Sequence, residues 1–370
     1  MSDSEPAPPA PARAPRPTHL VLSGGGLAGL SYVGVLKFLA ESGIGAGITH
    51  VSGTSMGAMF ATAFALGISA ADVETMVHHI FRDPDYIRYE PTALLGLMNT
   101  YGLDDGHRFV KPLEPYAAAV ALAPEELQNS ASAKMTFRAH AGAPATTFRD
   151  VRERFGRTLV VVATCLETGE AVYFGPDTTP EVGVLDAVRA SMAIPFVIRP
   201  VQIGSRHYVD GAFTDNTPFA PFLAPAAPSL FMVFDIQQRS LSDALPKYPC
   251  GNVIEFVTLL ITLASKNIRL AVPTADEIAA KIGGVPPILM DACPMPVLRL
   301  ACDADGIYFL IHDTDIVDSI EYGHCRAEAW WAANAPAALA AAAATGEPAA
   351  PTELAAPAEP AAVASLTDAS

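Results

Sequence analysis

The sequence predicts an α/β protein built on a mostly parallel sheet covered on both faces. Three observations carry that prediction. Short apolar runs alternate with stretches of helical periodicity along the chain, as strand-helix-strand units require. Two of the runs end in glycine motifs that open directly into helices. The 370 residues are 51% hydrophobic, enough to bury a sizeable core.

The first strand is expected at His19 to Leu22, an apolar run that stops at glycines. Leu30, Val33, Leu36 and Leu39 then recur at helical spacing, which predicts a helix over Leu27 to Glu41, closed by Gly43. A second strand follows at Ile48 to Ser52, and a small-residue helix at Ala58 to Leu66, closed by Gly67. Further buried strands are expected at Thr158 to Thr164, Val172 to Phe174, Phe196 to Ile203, Leu230 to Ile236, Val297 to Cys302 and Ile307 to Ile311.

Residues 18–335 show no internal repeat and no linker, so they are expected to form one domain. The flanks 1–17 and 336–370 are rich in Pro and Ala and cannot bury enough apolar surface to offset chain entropy; both are expected to be disordered tails.

Composition excludes several classes of function. The 23 basic and 39 acidic residues leave a formal net charge of −16, which argues against a nucleic-acid partner and against adsorption to anionic membrane. Cys165, Cys250, Cys293, Cys302 and Cys325 are scattered, with no Cys-x-x-Cys pair, and read as reduced thiols rather than metal ligands; no metal is expected. The N-terminal residues carry no secretory apolar core, and a cytoplasmic chain is the expectation. The longest apolar run, Val253 to Ala264, falls short of the roughly 20 residues of a membrane span. It reads as a buried helix or part of a lipid-facing mouth, with Asp83 to Tyr101 as a second wall.

Gly24-Gly25-Gly26-Leu27-Ala28-Gly29 lies between a strand and a helix and fits the G-x-G-x-x-G pattern of dinucleotide sites. The acidic residue that should close the second strand is missing there, because that strand ends in Val51-Ser52-Gly53 and Glu41 belongs to the preceding helix. What stands in its place is Gly53-Thr54-Ser55-Met56-Gly57, a G-x-S-x-G nucleophile elbow. Its glycines remove side chains that would collide in the sharp turn, and its serine is lifted clear of the sheet. The Gly24–Gly26 loop then fits an oxyanion hole, in which one backbone donor is worth about 3 kcal/mol.

A serine nucleophile needs a base. Asp210-Gly211-Ala212 follows a strand-like segment and precedes the turn-rich Asp215-Asn216-Thr217-Pro218. An Asp-Gly pair alone reads as a turn. Asp215 fits an Asx turn over Asn216 and Thr217, and Ser191, which lacks flanking glycines, fits a structural role near Pro195.

Taken together, Ser23-Gly24-Gly25-Gly26-x-x-Gly29, Gly53-Thr54-Ser55-Met56-Gly57 and Ala190-Ser191-x-Ala193-Ile194-Pro195 ahead of Asp210-Gly211-Ala212 resemble the ordered motifs of patatin-like phospholipases, from about His19 to Pro218. Val161 to Gly169 is similar to the family's strand and turn leading into that block. The resemblance implies a three-layer α/β/α fold and a catalytic dyad of Ser55 and Asp210 without histidine. It further implies oxyanion donors at Gly24, Gly25 and Gly26, no cofactor, and a phospholipid or acylglycerol substrate met by peripheral membrane contact. One departure is Ala28, where many members carry Lys or Arg; it weakens the case for phospholipid more than the case for lipid ester. Two alternatives stand beside this reading. One is a hydrolase of soluble esters or thioesters with a Ser-His-Asp triad, for which His312 and His324 are in the right chain order. The other is a nucleotide-binding protein using the glycine loop.

Overall fold

The computed structural model describes residues 17–82, 88–89, 96–97, 99–121, 145–223, 231–235, 275–281, 287–290, 299–303, 306–310 and 313–344. The Val253 to Ala264 run, His312 and most of the Asp83 to Tyr101 segment lie outside them, as do residues 1–16 and 345–370.

The strands are β1 (His19–Leu22), β2 (His50–Thr54), β3 (Arg88–Tyr89), β4 (Gly102–Asp104), β5 (Thr158–Cys165), β6 (Ala171–Phe174), β7 (Phe196–Ile198), β8 (Val201–Ile203), β9 (Arg206–Asp210), β10 (Phe231–Asp235), β11 (Ile288–Leu289), β12 (Arg299–Asp303) and β13 (Gly306–Leu310). The α-helices are α1 (Ser31–Glu41), α2 (Met56–Ala65), α3 (Ala70–Arg82), α4 (His107–Val110), α5 (Glu114–Ala121), α6 (Phe148–Phe155), α7 (Val184–Ser191), α8 (Ala275–Lys281) and α9 (Asp313–Ala344).

The central sheet runs β11-β10-β1-β2-β5-β9-β8, with β6 also paired to β5. The pairings from β11 through β5 are parallel, whereas β6, β8 and β9 join antiparallel. Alternation along β1 shows how both faces are covered. Leu20 and Leu22 pack into the main core with α1 and α2, while Val21 points the other way, into a smaller cluster with Phe219, Val233 and Ile278 of α8. Helices therefore lie on both sides of the sheet, the three-layer α/β/α arrangement expected.

The structure departs from expectation at four places. Residues Gly26–Leu30 form a 3₁₀ turn, and the α-helix begins only at Ser31, whose hydroxyl donates to the Ala28 carbonyl at 2.7 Å. The glycines at 26 and 29 are poor α-helix formers, which favours the tighter turn. The expected strand Phe196 to Ile203 breaks at Arg199-Pro200: β7 pairs with β4 in a separate ribbon, and β8 returns to the main sheet. Proline has no N–H to continue a ladder. The strands β12 and β13 form a hairpin, closed between Asp303 and Gly306, in a separate antiparallel sheet with β3 rather than joining the central one. Finally, α9 continues to Ala344, past the boundary expected at residue 335. The alanines there have high intrinsic helix propensity and need no buried face to extend a helix already nucleated.

The crossing of α1 and α9 sets how tightly the outer layer closes. A Cβ added to Gly34 would sit 1.8 Å from the Ile320 carbonyl oxygen, and one added to Gly323 would sit 1.9 Å from that of Ser31. Only glycine permits this backbone-to-backbone approach.

Candidate active site

Three strand ends converge on Ser55. At the end of β2 the chain turns so sharply that Ser55 adopts φ 53° and ψ −124°, a backbone conformation that non-glycine residues rarely occupy. The flanking glycines make the turn possible. A Cβ on Gly53 would lie 2.4 Å from the Gly57 carbonyl oxygen, and one on Gly57 would lie 2.2 Å from that of Leu22. Ser55 thus sits at the N-terminus of α2, where the helix dipole favours negative charge.

The end of β9 supplies the acid. Ser55 Oγ donates a hydrogen bond directly to Asp210 Oδ2 at 2.6 Å, with both residues buried. The other carboxylate oxygen accepts from the Ala212 N–H at 2.8 Å, and the Asp210 N–H donates to the Ala193 carbonyl at 3.0 Å. Gly211 is needed because a Cβ there would meet the Val162 carbonyl oxygen at 2.3 Å. Ala212 therefore contributes its backbone, and Gly211 its lack of side chain.

The end of β1 carries the glycine loop, and here the expected set of oxyanion donors is corrected. The Gly24 N–H donates to the Asn216 carbonyl at 3.1 Å, while the Asn216 amide returns a bond to the Gly24 carbonyl at 3.1 Å. Gly24 is therefore tied to the acid-bearing loop and is not turned toward a substrate carbonyl. Its glycine identity has a different reason: an added Cβ would lie 2.6 Å from Asn216 Oδ1 and 3.3 Å from Ser55 Cβ. Gly25 and Gly26 follow it in the loop, Gly25 buried and Gly26 exposed at φ 53°. Gly29 lets the nucleophile helix close in, since a Cβ there would meet Met56 Cγ at 2.4 Å.

Residues 215–218 clasp these parts together. Thr54 Oγ1 donates to the Asp215 carbonyl at 2.9 Å, and Ser52 Oγ to the Pro218 carbonyl at 2.6 Å. The Asp215 carboxylate accepts from the Thr217 N–H at 3.2 Å, the Asx turn expected, and from the Tyr173 hydroxyl at 2.8 Å. Burial pushes the Asp215 carboxyl up from the usual range, against the opposing effect of those two bonds.

Ser191 has a role the sequence did not disclose. It is the last residue of α7, and its hydroxyl accepts the Ser55 N–H at 2.8 Å in a fully buried position. It pins the strained nucleophile from behind. The signal was its place in the Ala190-to-Pro195 block, but nothing local to that block points to Ser55. Removing the acceptor leaves a buried N–H unpaired, at about 1–3 kcal/mol. Ser191→Ala is expected to lower kcat about tenfold with KM little changed, and Ser191→Thr to restore most of the loss. Steady-state kinetics on a monomeric ester checks this, and an equal rise in KM would point to a general structural role instead.

Of the two histidines weighed as triad members, His312 lies outside the described residues and His324 is engaged elsewhere. His324 Nε2 lies 2.8 Å from Glu41, at the end of α1 remote from the glycine loop, about 15 Å along the helix. His207 bonds Glu167 at 2.9 Å, and His19 and His50 stack on each other at the opposite end of β1 and β2. The proton of Ser55 is directed to a carboxylate without an intervening imidazole.

A doubly covered α/β sheet with a strained serine elbow, an apposed aspartate and a glycine loop defines a protein of the hydrolase-elbow class. The profile of the patatin-like phospholipase family matches residues 20–223, more than half of the chain, and the chain belongs to that family. An uncharacterised protein of Acanthamoeba polyphaga mimivirus is 25% identical over 244 residues, covering 65% of this chain and 74% of the relative. An uncharacterised NTE family protein of Mycobacterium tuberculosis is 27% identical over 203 residues, covering 55% of this chain and 27% of the relative, so this chain spans about a quarter of that protein's length. Among solved structures, VipD from Legionella pneumophila is similar at 16% identity and TM-score 0.47, over 86% of this chain and 67% of that one.

Proposed function

We propose that the protein hydrolyses fatty-acyl esters of lipids through an acyl-enzyme on Ser55, with Asp210 as the base. The observation that carries this reading is the 2.6 Å bond from Ser55 Oγ to Asp210 Oδ2 at a strained elbow. Ser55 Oγ attacks the ester carbonyl carbon as its proton passes to Asp210. On this reading backbone N–H groups of the glycine loop and the N-terminus of α2 stabilise the charge that develops on the carbonyl oxygen. Collapse expels the alcohol, which takes the proton from Asp210. Water then gives a proton to Asp210 and attacks the acyl carbon, and fatty acid leaves as Ser55 recovers its proton.

Ala28 bears on the substrate. Its side chain is fully buried, so the loop brings no positive charge of its own to a lipid phosphate. The reading is accordingly a lipid ester, with phospholipid and acylglycerol both as candidates. Among the described residues no helix is long and apolar enough to cross a membrane, and substrate is reached by peripheral contact. A fluorophosphonate is expected to label Ser55 in the folded protein and not in Ser55→Ala. A panel of phospholipids, lysophospholipids and triacylglycerols then ranks the substrates. Absence of label on folded protein removes the enzyme reading.

A further inference from the structure

Two large aromatic side chains stand out on the surface beside the site. Tyr101 is 65% exposed and Phe196 46% exposed, and each has positive φ, 59° and 69°. Left-handed backbone at a bulky residue is held only where the surroundings enforce it. Here the two residues enforce each other. The Phe196 N–H donates to the Tyr101 carbonyl at 3.1 Å, and Phe196 is paired with Gly102 in the β4–β7 ribbon. Gly102 approaches so closely that a Cβ would lie 2.3 Å from Arg199 N. The ribbon holds both residues exposed, where burial would have been favoured by about 25 cal/mol per Å² of apolar surface.

Their position is tied to the nucleophile and the acid. The five residues before Phe196 include Ser191, which receives the Ser55 N–H, and Ala193, whose carbonyl receives the Asp210 N–H. Anything that seats the rings therefore brings its surface to the flank of the dyad.

We propose that Tyr101 and Phe196 form the contact by which the protein sits on the surface of an aggregated, zwitterionic lipid substrate, an inference that rests on the lipid-ester reading above. Two rings are far too small for a stable protein–protein interface, which buries about 1,600 Å². They suit shallow insertion at a lipid–water boundary, where aromatic side chains are favoured. Arg199, exposed at the end of the same ribbon, adds a cation at headgroup level. The net charge of −16 disfavours an anionic surface.

The test uses the full chain carrying Ser55→Ala, so that vesicles stay intact, and phosphatidylcholine vesicles. Co-sedimentation is expected, little affected by salt, and Tyr101→Ser/Phe196→Ser is expected to reduce partitioning at least about tenfold without change in melting temperature. If that variant melts early, Phe196→Trp decides: brominated phosphatidylcholine is expected to quench its emission beyond the quenching of the native Trp330 and Trp331. Vesicle binding unchanged in the double variant, no binding by the parent chain, or no added quenching overturns the proposal. So does a dimer, formed without lipid, that the double variant dissolves. Fluorophosphonate labelling of unsubstituted protein, read without vesicles, reports separately on the hydrolase reading.

Discussion

Asp210→Asn is expected to lower kcat by about four orders of magnitude, the effect that loss of a triad aspartate produces elsewhere, while leaving the fold intact. Asparagine preserves the shape of the carboxylate and keeps an oxygen for the Ala212 N–H, now at 2.8 Å from Oδ1. It loses the ability to accept the Ser55 proton. In a triad the aspartate acts through an imidazole; on the proposed mechanism the carboxylate in the 2.6 Å contact accepts the proton itself. His324→Ala serves as the opposite arm. That residue is bonded to Glu41 and edge-on to Phe38, and its removal is expected to leave turnover unchanged. Esterase assays on these two proteins and on His312→Ala decide between dyad and triad. Full activity in Asp210→Asn would remove the dyad.

Gly34→Val and Gly323→Val are each expected to destabilise the fold by about 3 kcal/mol or more, lowering the melting temperature by roughly 10 °C. The atoms that an added Cβ would strike are backbone carbonyls of Ile320 and Ser31, not the ends of flexible side chains. Relief therefore requires moving a whole helix off the core, where Ile316, Ile320 and Ala327 are buried with Val33 and Leu36. Thermal melts of the purified variants check the magnitude, and an unchanged melting temperature would mean that the helices do not cross as described. The same crossing shows that residues beyond 223, where the family match ends, complete the outer layer of this fold.

How much of this was legible beforehand follows from whether a signal is local. The strands β1, β2, β5, β6 and β10 and the helix after Ser55 announce themselves through apolar runs and glycine stops, and each lies within a few residues of its expected place. The elbow was equally legible, because its collisions occur among residues within one turn and with the adjacent strand. Contacts that span the chain were not. The Gly24 N–H looked like an oxyanion donor until its partner, Asn216, was seen 192 residues away. Ser191 looked structural because its partner lies 136 residues earlier. The Phe196 to Ile203 run is apolar apart from Arg199, Pro200 and Gln202, and only pairing geometry shows that it is divided between two sheets.

The clasp at 215–218 has a consequence for the order in which the protein becomes competent. During synthesis Ser55 leaves the ribosome 155 residues ahead of Asp210, and Gly24 waits longer still for Asn216. Neither the nucleophile's base nor the anchor of the glycine loop exists until that late segment has emerged and folded back across three strand ends. On the proposed mechanism, a nascent chain or one truncated before that segment carries the serine without the carboxylate that accepts its proton, and is expected to be inert toward lipid esters.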